Sequence, residues 1–262
     1  MRTKKPQEPK NRTPLIREIS ERPRRVFAVG DIHGHDREVG VLLDHLIRTR
    51  SVGPDDLFIF MGDYIDRGPS SKQVIDRMLE IRRLWPQTVF LRGNHEDMLL
   101  HFLGLGGSGG EFYLRNGGAA FFESYGIEPT GPLSELIERL PRDHLEFIQS
   151  LEYGVVLAEF LFVHAGVAPR KPLEQQLASD LLWIRKEFVQ APHTLGKTVV
   201  FGHTAFNQIH LDLPYKIGID TGVAYGNRLS IVELVQGELF QVDVGTHTVH
   251  EGALRDLLAN RP

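Results

Sequence analysis

Nine side chains in this sequence could do chemistry together: Asp31, His33, Asp63, Asp66, Arg67, Asn94, His95, His164 and His203. They stand in five short motifs: GDIHG (30–34), GDYIDRG (62–68), GNHE (93–96), VHAG (163–166) and FGHT (201–204). Any one of them alone reads as an ordinary turn, since a DxH arises by chance and a lone histidine usually serves structure. Five in succession do not fit that reading. Turns draw on Asn, Asp, Gly and Pro and seldom on histidine. Asp31, Asp63, Asn94, His33, His164 and His203 offer oxygen and nitrogen donors without thiolate. Such a set suits five- or six-coordinate Mn²⁺, Fe or Zn²⁺ better than a closed tetrahedral structural zinc. Six ligands are too many for one open catalytic metal and fit two metals sharing a carboxylate. Two metals about 3.5–4 Å apart clamp a phosphoryl oxygen and generate a nucleophile from water.

These residues need elements to hold them. Each motif follows a short run rich in Val, Ile and Phe: VFAV (26–29), LFIFM (57–61), TVFLR (88–92), EFLFV (159–163) and TVVF (198–201). A sixth run, KIGI (216–219), leads into DTG. Short apolar runs closed by glycine predict buried strands. REVGVLLDHLIRTR (37–50) and SKQVIDRMLEIRRLW (71–85) have helical spacing. Alternating strands and helices predict an α/β fold with a largely parallel sheet, and ligand sites in such sheets lie beyond the carboxyl ends of the strands. LSIVELV and LFQVDV, around QGE, predict antiparallel strands at the end of the sheet. Residues 98–150 break the rhythm and predict a helical insertion over one end of the sheet. Its glycine-rich GLGGSGG (104–110) reads as a flexible connector; no P-loop pattern is present. Phe121, Phe122 and Tyr125 read as packing of this cap in preference to lining a groove.

Composition narrows the class. The chain has 262 residues, a formal net charge of −4 and no cysteine. No disulfide framework can form, a cysteine-nucleophile phosphatase is excluded, and the charge gives no nucleic-acid signal. Residues 1–25, rich in Lys, Arg and Pro, are expected to be a disordered basic tail, followed by one catalytic domain over 26–250 and a C-terminal tail over 251–262. No run is long enough to span a membrane, and the N-terminus lacks a signal-peptide apolar run, so a cytoplasmic protein without membrane partners is expected.

GDIHG, GDYIDRG, LRGNHE, VHAG and FGHT in this order resemble the calcineurin-like metallophosphoesterases, and within them the phosphoprotein phosphatases. KIGIDTGVAYGNRLSIVEL resembles the bacterial members. The resemblance covers roughly residues 25–245. It implies a four-layer α/β/β/α sandwich with mixed sheets and two divalent ions, with Mn²⁺ expected and Fe or Zn²⁺ possible. Asp31 and His33 would bind the first ion, Asp63 both, and Asn94, His164 and His203 the second. His95 would be the general acid, Asp66 its partner, and Arg67 and Arg185 the phosphate-binding arginines, with Asn94 and His95 also facing substrate. Glu96 and Asp220 would support the site without ligating. The implied reaction is hydrolysis of a phosphate monoester, foremost phosphoserine or phosphothreonine in proteins, by a metal-bridging hydroxide. The alternative is a symmetrical diadenosine tetraphosphate hydrolase. That pattern has alanine before the arginine and aspartate after the histidine, where this chain has Asp66 and Glu96. The resemblance leaves oligomeric state open and brings no nucleic-acid partner. The tyrosine that eukaryotic members carry over the metals is replaced here by GVAYGNRLS, and its role is not transferred to Tyr225.

Overall fold

A computed structural model describes residues 15–259. The chain begins with β1 (Ile16–Ile19) and β2 (Val26–Val29), then alternates through α1 (Asp36–Arg50), β3 (Leu57–Phe60), α2 (Ser71–Leu84) and β4 (Val89–Phe90). A helical segment follows: α3 (Asn94–Phe102), two short 3-10 turns at Gly110–Phe112 and Leu114–Asn116, α4 (Ala119–Ser124), α5 (Leu133–Arg139) and α6 (Arg142–Gln149). The second half runs β5 (Gly154–Leu157), β6 (Phe160–Val163), α7 (Ala178–Trp183), α8 (Lys186–Val189), β7 (Thr198–Phe201), β8 (His210–Asp212) and β9 (Lys216–Gly218). It closes with β10 (Arg228–Glu233), β11 (Glu238–Asp243), β12 (Val249–Ala253) and α9 (Leu254–Ala259).

The strands form two six-stranded mixed sheets, ordered β1-β5-β6-β7-β9-β8 and β12-β11-β10-β2-β3-β4. Parallel pairing joins β2, β3 and β4 in one sheet and β6, β7 and β9 in the other. The strands alternate between two apolar layers. Val26, Ala28, Leu57 and Ile59 pack against Val155, Phe162, Val200 and Ile217, which fills the space between the sheets. Phe27, Val29, Phe58 and Phe60 point the other way, onto a second core with Leu42, Leu46, Val74 and Met78 of α1 and α2. Leu161, Val199 and Phe201 face a third core with Leu181 and Phe188. Buried on both faces, these strands are continuous apolar runs, as parallel strands are. The resulting α/β/β/α sandwich is the expected one.

Two expected boundaries need correction. The basic tail was to extend through residue 25, but Ile16–Ile19 pair in parallel with Gly154–Leu157 as an edge strand. Arg24 and Arg25 then bond the buried Asp56, fixing the crossing to the other sheet. Residues 1–14 lie outside the described residues. The C-terminal tail expected from 251 is likewise built in, because Val249–Ala253 pair with Glu238–Val242. In the insertion, Phe121 and Phe122 are buried in the core, as read from the sequence. The glycine-rich stretch is not a loose connector. Ser108 Oγ donates to Asp97 at 2.8 Å, and Gly109 packs on Met98 and Trp183. Among the described residues no helix is long and apolar enough to cross a membrane.

Candidate metal centre

All five motifs leave the carboxyl ends of strands, four of them internal to their sheets and one, β4, at an edge. Asp31 and His33 follow β2, Asp63 to Arg67 follow β3, Asn94 and His95 follow β4, His164 follows β6 and His203 follows β7. The turns are tight. Among the described residues, seven non-glycine residues have positive φ, and five of them are His33 (45°), Asp63 (51°), Asp66 (71°), Arg67 (66°) and His203 (63°). A left-handed residue bearing a Cβ costs about 1–2 kcal/mol. Strain concentrated in this way marks a functional site.

Glu96 holds the second turn. Its carboxylate accepts the backbone N–H groups of Gly93 (2.9 Å), Asp63 (3.0 Å), Tyr64 (2.8 Å) and Ile65 (3.3 Å). Burial, with Asp63 and Asp66 close by, pushes its pKa up to about 8, while the amide donors favour the ionised form. Two glycines make room for the carboxylates. A Cβ on Gly93 would lie 2.1 Å from Asp63 Oδ1, and one on Gly202 would lie 2.0 Å from Asp31 Oδ1. The glycines of GDIHG do a different job. Gly30 lets the backbone approach the Ile219 carbonyl and Gly34 that of Gly68.

Asp63 is the centre of the arrangement. Its ligand atoms lie within 4.8 Å of those of His33 and His95 in one set, and of His164 and His203 in another. His33 Nδ1 donates to the Ile65 carbonyl at 3.0 Å, and His164 Nδ1 to the Met61 carbonyl at 2.8 Å. Metal-binding histidines are oriented by such second bonds. Each ring then presents its Nε2 lone pair inward. His33 Nε2 faces Asp63 Oδ2 at 3.4 Å, and His164 Nε2 faces both Asn94 Oδ1 at 3.0 Å and Asp63 Oδ1 at 3.4 Å. Lone pairs at these separations repel one another unless a proton or a cation lies among them. At His33 burial opposes the charged imidazole, but Asp63 outweighs it and raises the pKa, and Arg67 Nη1 lies 3.4 Å from the same Nε2.

The electrostatics agree. Burial, Asp220 and Asp63 raise the pKa of Asp31 well above the usual carboxylate range. Burial also works against the Asp63 carboxylate, but His164, His95 and His33 outweigh it and hold that pKa well below the ordinary value. Burial, His164 and Arg185 keep His203 well below the usual imidazole pKa, so its ring is neutral and able to ligate. Asp31 Oδ1 and His203 Nε2 are buried without a hydrogen-bond partner. Asp31 belongs to neither set around Asp63, and is tied in through its Oδ2, which accepts the His203 N–H at 2.9 Å. Carboxylates gathered this way, with the imidazoles of His164 and His203 shifted toward their neutral form beside them, fit divalent cations held by oxygen and nitrogen.

The remaining residues flank this centre. His95 Nδ1 lies 2.7 Å from Asp66 Oδ2, both side chains being buried. The other oxygen of Asp66 accepts the Tyr113 hydroxyl at 2.7 Å, a contact that sequence reading missed. Arg67 stands at the mouth, its guanidinium 5.4 Å from the Tyr225 ring and bonded to the Tyr225 hydroxyl at 3.2 Å. Arg185, between α7 and α8, donates to the His203 carbonyl at 3.0 Å. The structure thus gathers Asp31, His33, Asp63, Asp66, Arg67, Asn94, His95, His164 and His203 and sets Arg185 beside His203. Such an assembly can bind two cations, receive an anion at Arg67, and hold an imidazole ready to give a proton.

A family model described as calcineurin-like phosphoesterase matches residues 24–232. The chain is 29% identical to serine/threonine-protein phosphatase 2 of Escherichia coli, over 80% of its length and 93% of that protein. It is also 29% identical to serine/threonine-protein phosphatase 1 of Salmonella typhimurium, over 80% of its length and 92% of that protein. A solved structure provisionally assigned as a diadenosine tetraphosphatase superposes with a TM-score of 0.64 at 23% identity, covering 88% of this chain and 98% of that one.

Proposed function

The chain belongs to the calcineurin-like phosphoesterase family, and from that premise we propose that it hydrolyses phosphate monoesters, foremost phosphoserine and phosphothreonine in proteins. That it is a metal-dependent phosphoester hydrolase follows from the family and from its phosphatase relatives. The substrate class is our reading. The observation that carries it is the buried contact between Asp66 and His95, 2.7 Å long. Serine and threonine leave as alkoxides, which are poor leaving groups and need a proton in the transition state. A nucleotide leaves as a phosphate anion, which needs one far less. An imidazole held by a buried carboxylate is built for the harder case.

In this reading Asp31, His33, Asp63, Asn94, His164 and His203 would hold two divalent ions, Mn²⁺ foremost. When bound, the ions supply a Lewis-acid clamp on a phosphoryl oxygen and an activated water. Arg67 pairs with a second phosphoryl oxygen, and Arg185 reaches the same phosphate from beside His203. His95 gives its Nε2 proton to the departing oxygen, and Asp66 holds the imidazole in the orientation that this requires. A cytoplasmic location completes the proposal, and cell fractionation tests it.

The second reading is symmetrical diadenosine tetraphosphate hydrolysis. It is favoured by Tyr225, 70% exposed beside Arg67, a ring on which a base can stack. The deciding experiment measures kcat/KM for the Mn²⁺-loaded protein on a phosphoserine peptide and on diadenosine tetraphosphate, with His95→Ala as control. We expect the peptide to be preferred and to lose most in His95→Ala. Preference for the dinucleotide, with His95→Ala almost as active, overturns the proposal in favour of the second reading.

A further inference from the structure

Asp66 has two carboxylate oxygens, and both are committed. One accepts from His95 Nδ1 and the other from the Tyr113 hydroxyl, each at 2.7 Å. All three side chains are shut off from solvent, with Asp66 and Tyr113 at 0% exposure and His95 at 1%. The tyrosine cannot swing away. Its ring is wedged against Gly118, where an added Cβ would lie 2.6 Å from two ring carbons, and it packs on Phe102 and Phe122. Tyr113 comes from the insertion, between its two 3-10 turns, and the same loop accepts the Arg67 N–H on the Gly117 carbonyl at 3.2 Å.

We propose that Tyr113 is a positioning residue for proton delivery: its hydroxyl fixes the Asp66 carboxylate, and through it the His95 ring, so the helical insertion sets where the leaving group is protonated. This rests on the reading of His95 given under Proposed function. In the step itself a water oxygen bonds to phosphorus as the bond from phosphorus to the leaving oxygen breaks. The attacking water keeps one proton and gives the other to solvent, the Nε2 proton of His95 passes to the leaving oxygen, and solvent returns a proton to the imidazole. Tyr113 and Asp66 keep their protonation states throughout. Burial and the neighbouring Asp66 raise the Tyr113 pKa well above its ordinary value, which keeps the hydroxyl a donor.

The test is Tyr113→Phe, which removes one oxygen atom. The variant is assayed on a phosphoserine peptide, whose alkoxide needs a proton, and on p-nitrophenyl phosphate, whose phenolate does not. Removing a partner that orients a working side chain typically costs about 10–100-fold. We expect a loss of that size in kcat on the peptide, less than about twofold on the aryl ester, and unchanged metal content. In a His95→Ala background the substitution should have no further effect on the peptide. Equal losses on both substrates, no loss on the peptide, or a loss that persists without His95 overturns the inference. If Tyr113→Phe does not fold, Gly118→Ala, which displaces the ring and keeps the hydroxyl, is read in the same assays with the same expectation. A wild-type protein inactive on both monoesters overturns the functional reading instead.

Discussion

Gly202 and Asp31 approach so closely that a methyl group on the glycine would sit 2.0 Å from the carboxylate Oδ1. The same pair is joined one residue on, where the His203 N–H donates to Asp31 Oδ2 at 2.9 Å. The FGHT strand end therefore fits around the GDIHG strand end, and the glycine is a space requirement. Its immediate neighbours are a ligand candidate and the backbone that aims it.

Gly202→Ala should accordingly displace Asp31 while leaving the sandwich folded. We expect metal affinity to fall by about 10–100-fold, as when the groups orienting metal ligands are disturbed. Metal titration with circular dichroism as the fold control checks this. Wild-type affinity in the variant would refute the close fit.

Asp63 serves both sets of ligand atoms, so one substitution should empty both. Asp63→Asn keeps the size and removes the charge. We expect loss of both ions by elemental analysis and a fall in kcat/KM of about a thousandfold, the rate equivalent of several kcal/mol of lost charge stabilisation. A variant that retains two ions per chain argues against a shared carboxylate.

His95 lies close enough to Asp63 and His33 to be counted among ligands, yet its Nδ1 is engaged by Asp66. His95→Ala separates the two roles. We expect full metal content and turnover of phosphoserine slowed by about 10²–10⁴-fold, the usual worth of a general acid. Loss of one ion in this variant would make His95 a ligand.

Stability in acid should depend on Asp56. Burial opposes its ionisation, but Arg24, Arg25 and the Gly53 N–H outweigh that and lower its pKa. A lowered carboxylate pKa stabilises the fold above the unfolded value of about 3.9, and the contribution is lost as pH falls through the folded value beneath it. Asp56→Asn should cost about 1–3 kcal/mol at neutral pH. Urea unfolding across the acid range should show the gap to wild type narrowing only below about pH 4. A gap that stays constant into strong acid would remove the charge from the explanation.

That the candidate ligands come together was legible because each member follows a buried strand closed by glycine, a pattern confined to a few residues. Glu96 was recognised as a support, but three of its four amide bonds were not, because they reach a turn 31–33 residues away. Tyr113 was missed for the same reason. Nothing in GEFYLRNGG marks a hydroxyl whose acceptor lies 47 positions earlier. IREI, four residues inside a basic, proline-rich stretch, carries no strand signal of its own and becomes β1 only by pairing with Gly154–Leu157. Local pattern reveals what a segment buries, whereas partners distant in sequence appear only when the sheets close.

The candidate ligands are divided between the sheets by chain order. Asp31, His33, Asp63 and Asn94 leave the β2-β3-β4 sheet, and His164 and His203 leave the sheet that holds β6 and β7. Ion binding and the cohesion of the two leaves are therefore reciprocal quantities: whatever free energy the ions add to closing the leaves, loosening the leaves takes from ion affinity. A side chain such as Phe162, packed between the sheets and coordinating nothing, thus shares in setting the affinity of the centre. In the proposed two-ion site, the ions would in turn act as a tension member across a seam that apolar packing alone would leave freer to slide.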